Sequence, residues 1–124
     1  MNAYAAMKQY QTVNVNAQIS EADPHRLIQM LMEGGLQRVA QAKGAMRHGN
    51  VPLKGEQIGK AIAIIGGLRE ALDQKQGGEV AGNLDSLMQQ RLSQANLRND
   101  AALLDEVTAL LREVKAGWDG IRQS

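Results

Sequence analysis

The chain has 124 residues, 14 basic and 13 acidic side chains for a net charge of +1, 44% hydrophobic residues and no cysteine. That length supports one domain with one core, the near-neutral charge argues against nucleic acid as a partner, and the missing thiols exclude a disulfide framework and a thiolate metal site. The opening residues Met1-Asn2-Ala3-Tyr4 are not a basic stretch leading into an apolar run, and no apolar segment reaches membrane-spanning length, so the expectation is a soluble, cytoplasmic protein without stable membrane insertion.

Residues 1–22 are rich in Asn, Gln and Ala, carry two charges, and have apolar anchors at Tyr4, Met7, Tyr10, Val13, Val15 and Ile19. This composition reads as an N-terminal strap, part helix and part extended chain. It either covers a groove on its own domain or docks on a partner, and both hold if it can be displaced. Residues 23–124 read as a second unit, a four-helix bundle.

The first bundle helix is expected over residues 24–48. Asp23 can cap its free amides, and Pro24 fits the first helical position, where an N–H would be unpaired anyway. Ile28, Leu31, Gly35, Val39, Ala42 and Met46 then recur at steps of three and four, until Gly49-Asn50 and Pro52 end the stripe. The second helix, over 54–76, carries Ile58, Ala61 or Ile62, Ile65, Leu68 and Leu72, and is closed by Gly77-Gly78. The third, over 79–97, has Val80, Leu84, Leu87, Leu92 (or Arg91) and Ala95. The fourth, over 100–122, has Leu103, Val107, Leu110 or Leu111, Val114, Trp118 and Ile121. Short connections favour an all-α, antiparallel up-down-up-down bundle.

Little in these helices resembles catalytic or metal chemistry. His25 and His48 are the only histidines, and neither has a Glu three residues before it or a second His four away, as an inward-facing helical metal site needs. A regulatory or phosphorelay bundle is the alternative of similar size, but its reactive His ordinarily lies mid-helix, and His25 falls in a first turn. Lys54-Gly55 lacks an upstream glycine loop and cannot cradle a phosphate. Glu33, Glu70 and Glu106 read as solvated faces rather than paired acids.

Two glycine pairs, Gly34-Gly35 and Gly66-Gly67, interrupt the first two helices at a cost of roughly 1 kcal/mol per residue relative to Ala. They read first as a close approach of helix one to helix two, and second as a thinned groove floor. Charge is also uneven. Residues 24–48 carry four basic and one acidic side chain, whereas 100–122 carry five acidic and three basic, so the first and last helices should attract weakly if adjacent.

Specific words in the chain carry a resemblance. Ala22-Asp23-Pro24-His25-Arg26-Leu27-Ile28-Gln29-Met30-Leu31 is followed in order by Lys60-Ala61-Ile62-Ala63-Ile64-Ile65, Gly77-Gly78-Glu79-Val80-Ala81-Gly82-Asn83-Leu84, Arg91-Leu92-Ser93-Gln94-Ala95-Asn96-Leu97-Arg98-Asn99-Asp100, Glu106-Val107 and Gly117-Trp118. In this order the chain resembles the flagellar secretion chaperone FliS family over nearly its whole length. The resemblance implies a non-enzymatic, cofactor-free cytoplasmic bundle that binds the C-terminal segment of flagellin, prevents premature polymerisation and helps deliver it to the type III export gate. It also implies that Met7 and Tyr10, an apolar residue and a Tyr three positions apart, help the loaded chaperone dock on the cytoplasmic domain of that gate. Candidates for the client groove are Ile28, Met32, Ile62, Ile65, Leu72, Leu84, Leu87 and Leu111. A homodimer formed by exchanging the strap stays open beside a monomer.

The chain departs from the family pattern between Leu87 and Arg91. It is about three residues shorter there, keeps only Met88 and lacks the two tyrosines usual at that point. Three residues fall short of a whole turn, so the stripe should shift by roughly 60° and the third helix should be short. Met32 stands where the family often has an aromatic, and a flexible thioether suits an adaptable surface.

Overall fold

The computed structural model describes residues 23–73 and 78–121, and these form four α-helices: α1 (Pro24–Arg47), α2 (Val51–Asp73), α3 (Gly78–Arg98) and α4 (Ala101–Asp119). The strap and Gly77 lie outside the described residues.

Each described junction is built by local hydrogen bonding. The Asp23 carboxylate accepts the Arg26 N–H at 2.7 Å and caps α1, with Pro24 in the first turn as its fixed φ requires. At the other end the chain turns through Gly49 at φ +67°. The Gly49 N–H donates to the Met46 carbonyl at 3.3 Å and the Asn50 N–H to the Ala45 carbonyl at 2.9 Å. This is a Schellman closure, whose left-handed residue is most easily a glycine.

Asn50 then caps the next helix, its Oδ1 accepting the Leu53 N–H at 3.2 Å. The start of α2 at Val51 rather than residue 54 follows from this cap. Pro52 lies within the first turn, where its missing donor costs nothing, so it opens α2 as well as closing α1.

A second compact junction joins α3 to α4. Asn99 takes the left-handed conformation at φ +55°, the Asp100 N–H donates back to the Ala95 carbonyl, and the Asp100 side chain accepts the Ala102 N–H at 3.0 Å. Gly120 caps α4, so Ile121 lies past the helix and is exposed. The helix therefore ends earlier than the expected residue 122.

Each helix contributes to one core. Ile28, Leu31, Met32, Val39 and Ala42 of α1 meet Ile58, Ala61, Ile64, Ile65 and Leu68 of α2, Met88, Leu92 and Ala95 of α3, and Leu104, Val107 and Leu111 of α4. Packing runs around a ring: α1 lies against α2 and α4, and α3 lies against the same two. At roughly 1.5–3 kcal/mol for each large side chain fully removed from water, this burial is the main favourable contribution to folding.

Polar pairs fix which positions face each other. Lys54 reaches Asn96 and Asn99, Gln89 donates to the Ile62 carbonyl, and Arg69 pairs with Asp85, so positions rise along α2 as they fall along α3. Between α1 and α4, Trp118 bonds to His25 and Lys43 to Asp105, again in opposing order. The weak attraction expected between these oppositely biased helices takes the form of the Lys43–Asp105 bridge at 2.7 Å.

The stripes differ from expectation in detail. In α3 the buried residues Asp85, Met88, Leu92 and Ala95 follow one another at steps of three and four, so the expected shift of the stripe is not seen, and Leu84 and Leu87 are only half-buried. The helix still runs 21 residues against 19 for α4, so it is not cut short. In α4 the core residue is Leu104 rather than Leu103, and of the two alternatives Leu110 and Leu111 it is Leu111.

A Cβ on Gly35 would meet the Leu111 Cδ1 at 3.4 Å, Ile64 at 3.8 Å and Ile65 at 3.9 Å. Its neighbours are thus side chains of both α2 and α4, at ordinary contact distance, rather than an abutting backbone.

Buried polar groups are tied between helices. The Arg38 guanidinium donates to Gln57 Oε1 at 2.7 Å and Gln41 Oε1 at 3.3 Å. Burial pushes its pKa down and the Glu56 carboxylate raises it. Lys54 donates to the Asn96 carbonyl at 3.0 Å and Asn99 Oδ1 at 3.1 Å, placing an ammonium at the negative end of α3.

Asn99 therefore fills two roles at once. Asn99→Ala should lower stability by about 2–3 kcal/mol in urea unfolding, from left-handed strain and the lost acceptor for Lys54. Asn99→Gly should cost about 1 kcal/mol less, because only the acceptor is lost.

Candidate functional site

Two shallow apolar furrows flank α3. One lies between α2 and α3 and is lined by Ile65, Leu68, Leu72, Leu84 and Met88, with Val114 of α4 contributing and Arg69 and Asp85 also lining it. Arg69 Nη1 stands 3.7 Å from Asp85 Oδ2, and Asp85 also accepts from Gln89. The other lies between α3 and α4, has a volume of about 320 Å³, and is lined by Leu87, Ala109 and Leu110 together with the Arg91–Glu106 pair at 3.0 Å. Both furrows have aliphatic linings with one ion pair each. Such surfaces can hold an amphipathic helix by its apolar face and check its charges at the edge.

The candidate groove residues separate into two groups. Ile28, Met32, Ile65 and Leu111 are almost fully buried within the core. Ile62, Leu72, Leu84 and Leu87 are half-buried on α2 and α3, and the last three line the furrows. Met7 and Tyr10 lie outside the described residues.

Sequence reasoning missed the contributions of Arg69, Asp85, Glu106, Ala109 and Val114 as lining residues. For Arg69, Asp85 and Glu106 the signal was present as charges near the apolar stripe, which binary patterning alone assigns to solvent.

The two histidines stand in unlike settings. The His25 ring stacks on Trp118 with centroids 4.9 Å apart and 17° between planes, and the His25 carbonyl accepts the Trp118 Nε1–H at 3.0 Å. His48 is exposed at the C-cap of α1. Among the described residues no group of three metal-ligating side chains converges.

Glu33 and Glu70 are not the fully solvated groups expected from sequence. Each is half-buried and has one carboxylate oxygen shielded from solvent without a hydrogen-bond partner, while Glu33 uses its other oxygen on Arg26 at 3.4 Å. Glu106 is exposed, as expected of a solvated face. No described helix is long and apolar enough to cross a membrane.

Residues 6–124 match the family described as flagellar protein FliS. The chain is 65% identical over 124 residues to the flagellar secretion chaperone FliSB of Pseudomonas aeruginosa, covering 98% of each chain. It is 45% identical to the flagellar secretion chaperone FliS of Vibrio cholerae, over 94% of this chain and 88% of that one. Against the Salmonella typhimurium flagellar secretion chaperone FliS it is 42% identical, over 98% and 93% of the two chains.

Near His25, Asp119 closes the seam of α1 and α4. The Lys115 ammonium hydrogen-bonded at 2.7 Å, and then Gln29 at 2.7 Å, hold its carboxyl below the ordinary Asp range. A depressed folded-state pKa gives stability that is present above the unfolded value and lost as pH falls through the folded one. Thermal unfolding should therefore show a small acid-dependent loss beginning below about pH 4. Asp119→Asn should remove that component and leave the neutral-pH transition slightly lower.

Proposed function

The chain belongs to the flagellar protein FliS family, and we propose that it is a cytoplasmic, non-enzymatic export chaperone that binds the disordered C-terminal segment of flagellin. In this reading it prevents premature polymerisation and assists delivery to the flagellar type III export gate. The observation that carries the reading is near-full-length identity of 65% to a protein named as a flagellar secretion chaperone. The two apolar furrows beside α3 support it, and so does the opposing order of cross-helix pairs, which fits an antiparallel up-down-up-down bundle.

The physical logic follows from the client. An unfolded terminus with an amphipathic sequence pairs readily with its own copies, and an aliphatic furrow competes by covering the same apolar face. Ordering the client offsets a gross gain of about 2–5 kcal/mol or more, so the complex stays releasable even with a large interface. Leu72, Leu84 and Leu87 are the residues best placed to touch such a client, because they are apolar, partly accessible and line the furrows. Ile28, Met32, Ile65 and Leu111 contribute by holding the furrow walls in place. Met7 and Tyr10 are the proposed contacts to the gate.

Mixing the full chain with a peptide of the flagellin C-terminal segment should give saturable binding in calorimetry and a gain of helical circular dichroism beyond the sum of the parts. No binding at tens of micromolar would overturn the reading. Leu87→Asp should weaken binding by at least about tenfold, the cost of placing a charge where a leucine had been partly covered, with the thermal transition nearly unchanged. Tyr10→Ala should weaken capture by the gate's cytoplasmic domain while leaving client affinity and helix content close to the parent. A collapse of thermal stability would make Tyr10 a structural cover instead.

A further inference from the structure

At the end of the molecule formed by the two compact turns there is a cavity of about 200 Å³, walled by Ala45, Met46 and Val51, with Lys54 and Asn99 among its lining residues. It shares no residue with the furrows beside α3. Lys54 is 6% exposed, and its ammonium makes two hydrogen bonds, to the Asn96 carbonyl and to Asn99 Oδ1. Both acceptors are neutral. An ammonium has three donors, so one N–H is left over, and no carboxylate pairs with this charge among the described residues. A buried cation ordinarily has an anionic partner, because desolvation of the charge is otherwise uncompensated.

The surroundings extend the same pattern. Val51, which lines the cavity, is 63% exposed, and Leu53 in the first turn of α2 and Leu97 (84% exposed) in the last turn of α3 are exposed apolar side chains near the same end. Arg47 and Arg98, one in each turn region, are exposed and have no acidic partner among the described residues. The one carboxylate built into the turns, Asp100, is engaged in capping α4.

We propose that this end is a docking site for a partner-protein segment in which a glutamate or aspartate is flanked by apolar residues. The carboxylate completes the hydrogen bonding of Lys54, and the flanking side chains cover Val51, Leu53 and Leu97. Apolar cover at both helix ends favours a chain-internal acidic residue over a terminal carboxylate, since the occupant continues on either side of the cavity. The site stands independently of the flagellin furrows.

The test is a titration of the isotope-labelled full chain, read by amide NMR, with the blocked peptide Ac-Ala-Leu-Glu-Leu-Ala-amide and with its glutamine counterpart. Saturable shifts are expected at Gly49, Val51 and Asn99, with affinity for the glutamate peptide about tenfold higher, the scale of one charge-assisted hydrogen bond. Lys54→Met should erase that preference. Because Lys54 also caps α3, the exposed-surface variant Val51→Ser is read alongside it and should weaken the glutamate peptide without altering the fold. Equal affinity for the two peptides would overturn the proposal, as would shifts confined to residues of the furrows beside α3, or no shift at these three amides up to millimolar peptide.

Discussion

Each helix of this chain has a single apolar stripe, and none can be stable in water unless that stripe is covered by the other three. Ile64 and Ile65 from α2, Leu92 from α3, and Leu104 and Leu111 from α4 form one core with Leu31 and Met32 of α1. The core is aliphatic and thioether throughout. Such side chains have no preferred ring geometry to satisfy, so specificity of register falls to the few buried polar links, Arg38 with Gln57 and Lys54 with Asn96 and Asn99.

This division of labour places the adaptable surface. Residues that point fully inward are committed to folding, whereas Leu72, Leu84 and Leu87 are half covered by neighbours and half available. A partner helix laid along α3 would continue the packing of the core rather than add a separate interface. Ion pairs at the furrow edges, Arg69 with Asp85 and Arg91 with Glu106, remain partly solvated. They contribute little to stability in that state and are more useful for discriminating among partners.

Much of the fold was readable from local chemistry. Asp23-Pro24 marked the start of α1 because cap and fixed φ coincide, and Gly49 marked its end because the closing turn needs a left-handed residue. The start of α2 was placed three residues late, since a proline after an apolar stripe reads as a stop even when it sits in the next helix's first turn. Asn99 was taken only as a break, although it is the left-handed residue of its own turn, because asparagine carries a weaker signal than glycine for that conformation.

The candidate site was harder to read for a different reason. Periodicity identifies the face a helix buries but cannot say how deeply each residue goes, so Ile65 and Leu84 looked equivalent although Ile65 is fully buried at the furrow floor and Leu84 is half-buried. Lys54 escaped notice entirely as an element of the fold, since a lysine at a helix start gives no sign that its ammonium will be drawn across to the end of a helix forty residues away.

The stacked pair of Trp118 and His25 gives the molecule a built-in optical gauge. It is the chain's one indole, and it spans the meeting of the first and last helices, so its emission reports a single distance. Any event that parts those two helices separates indole from imidazole and changes the fluorescence, with no label attached and no competing tryptophan to subtract.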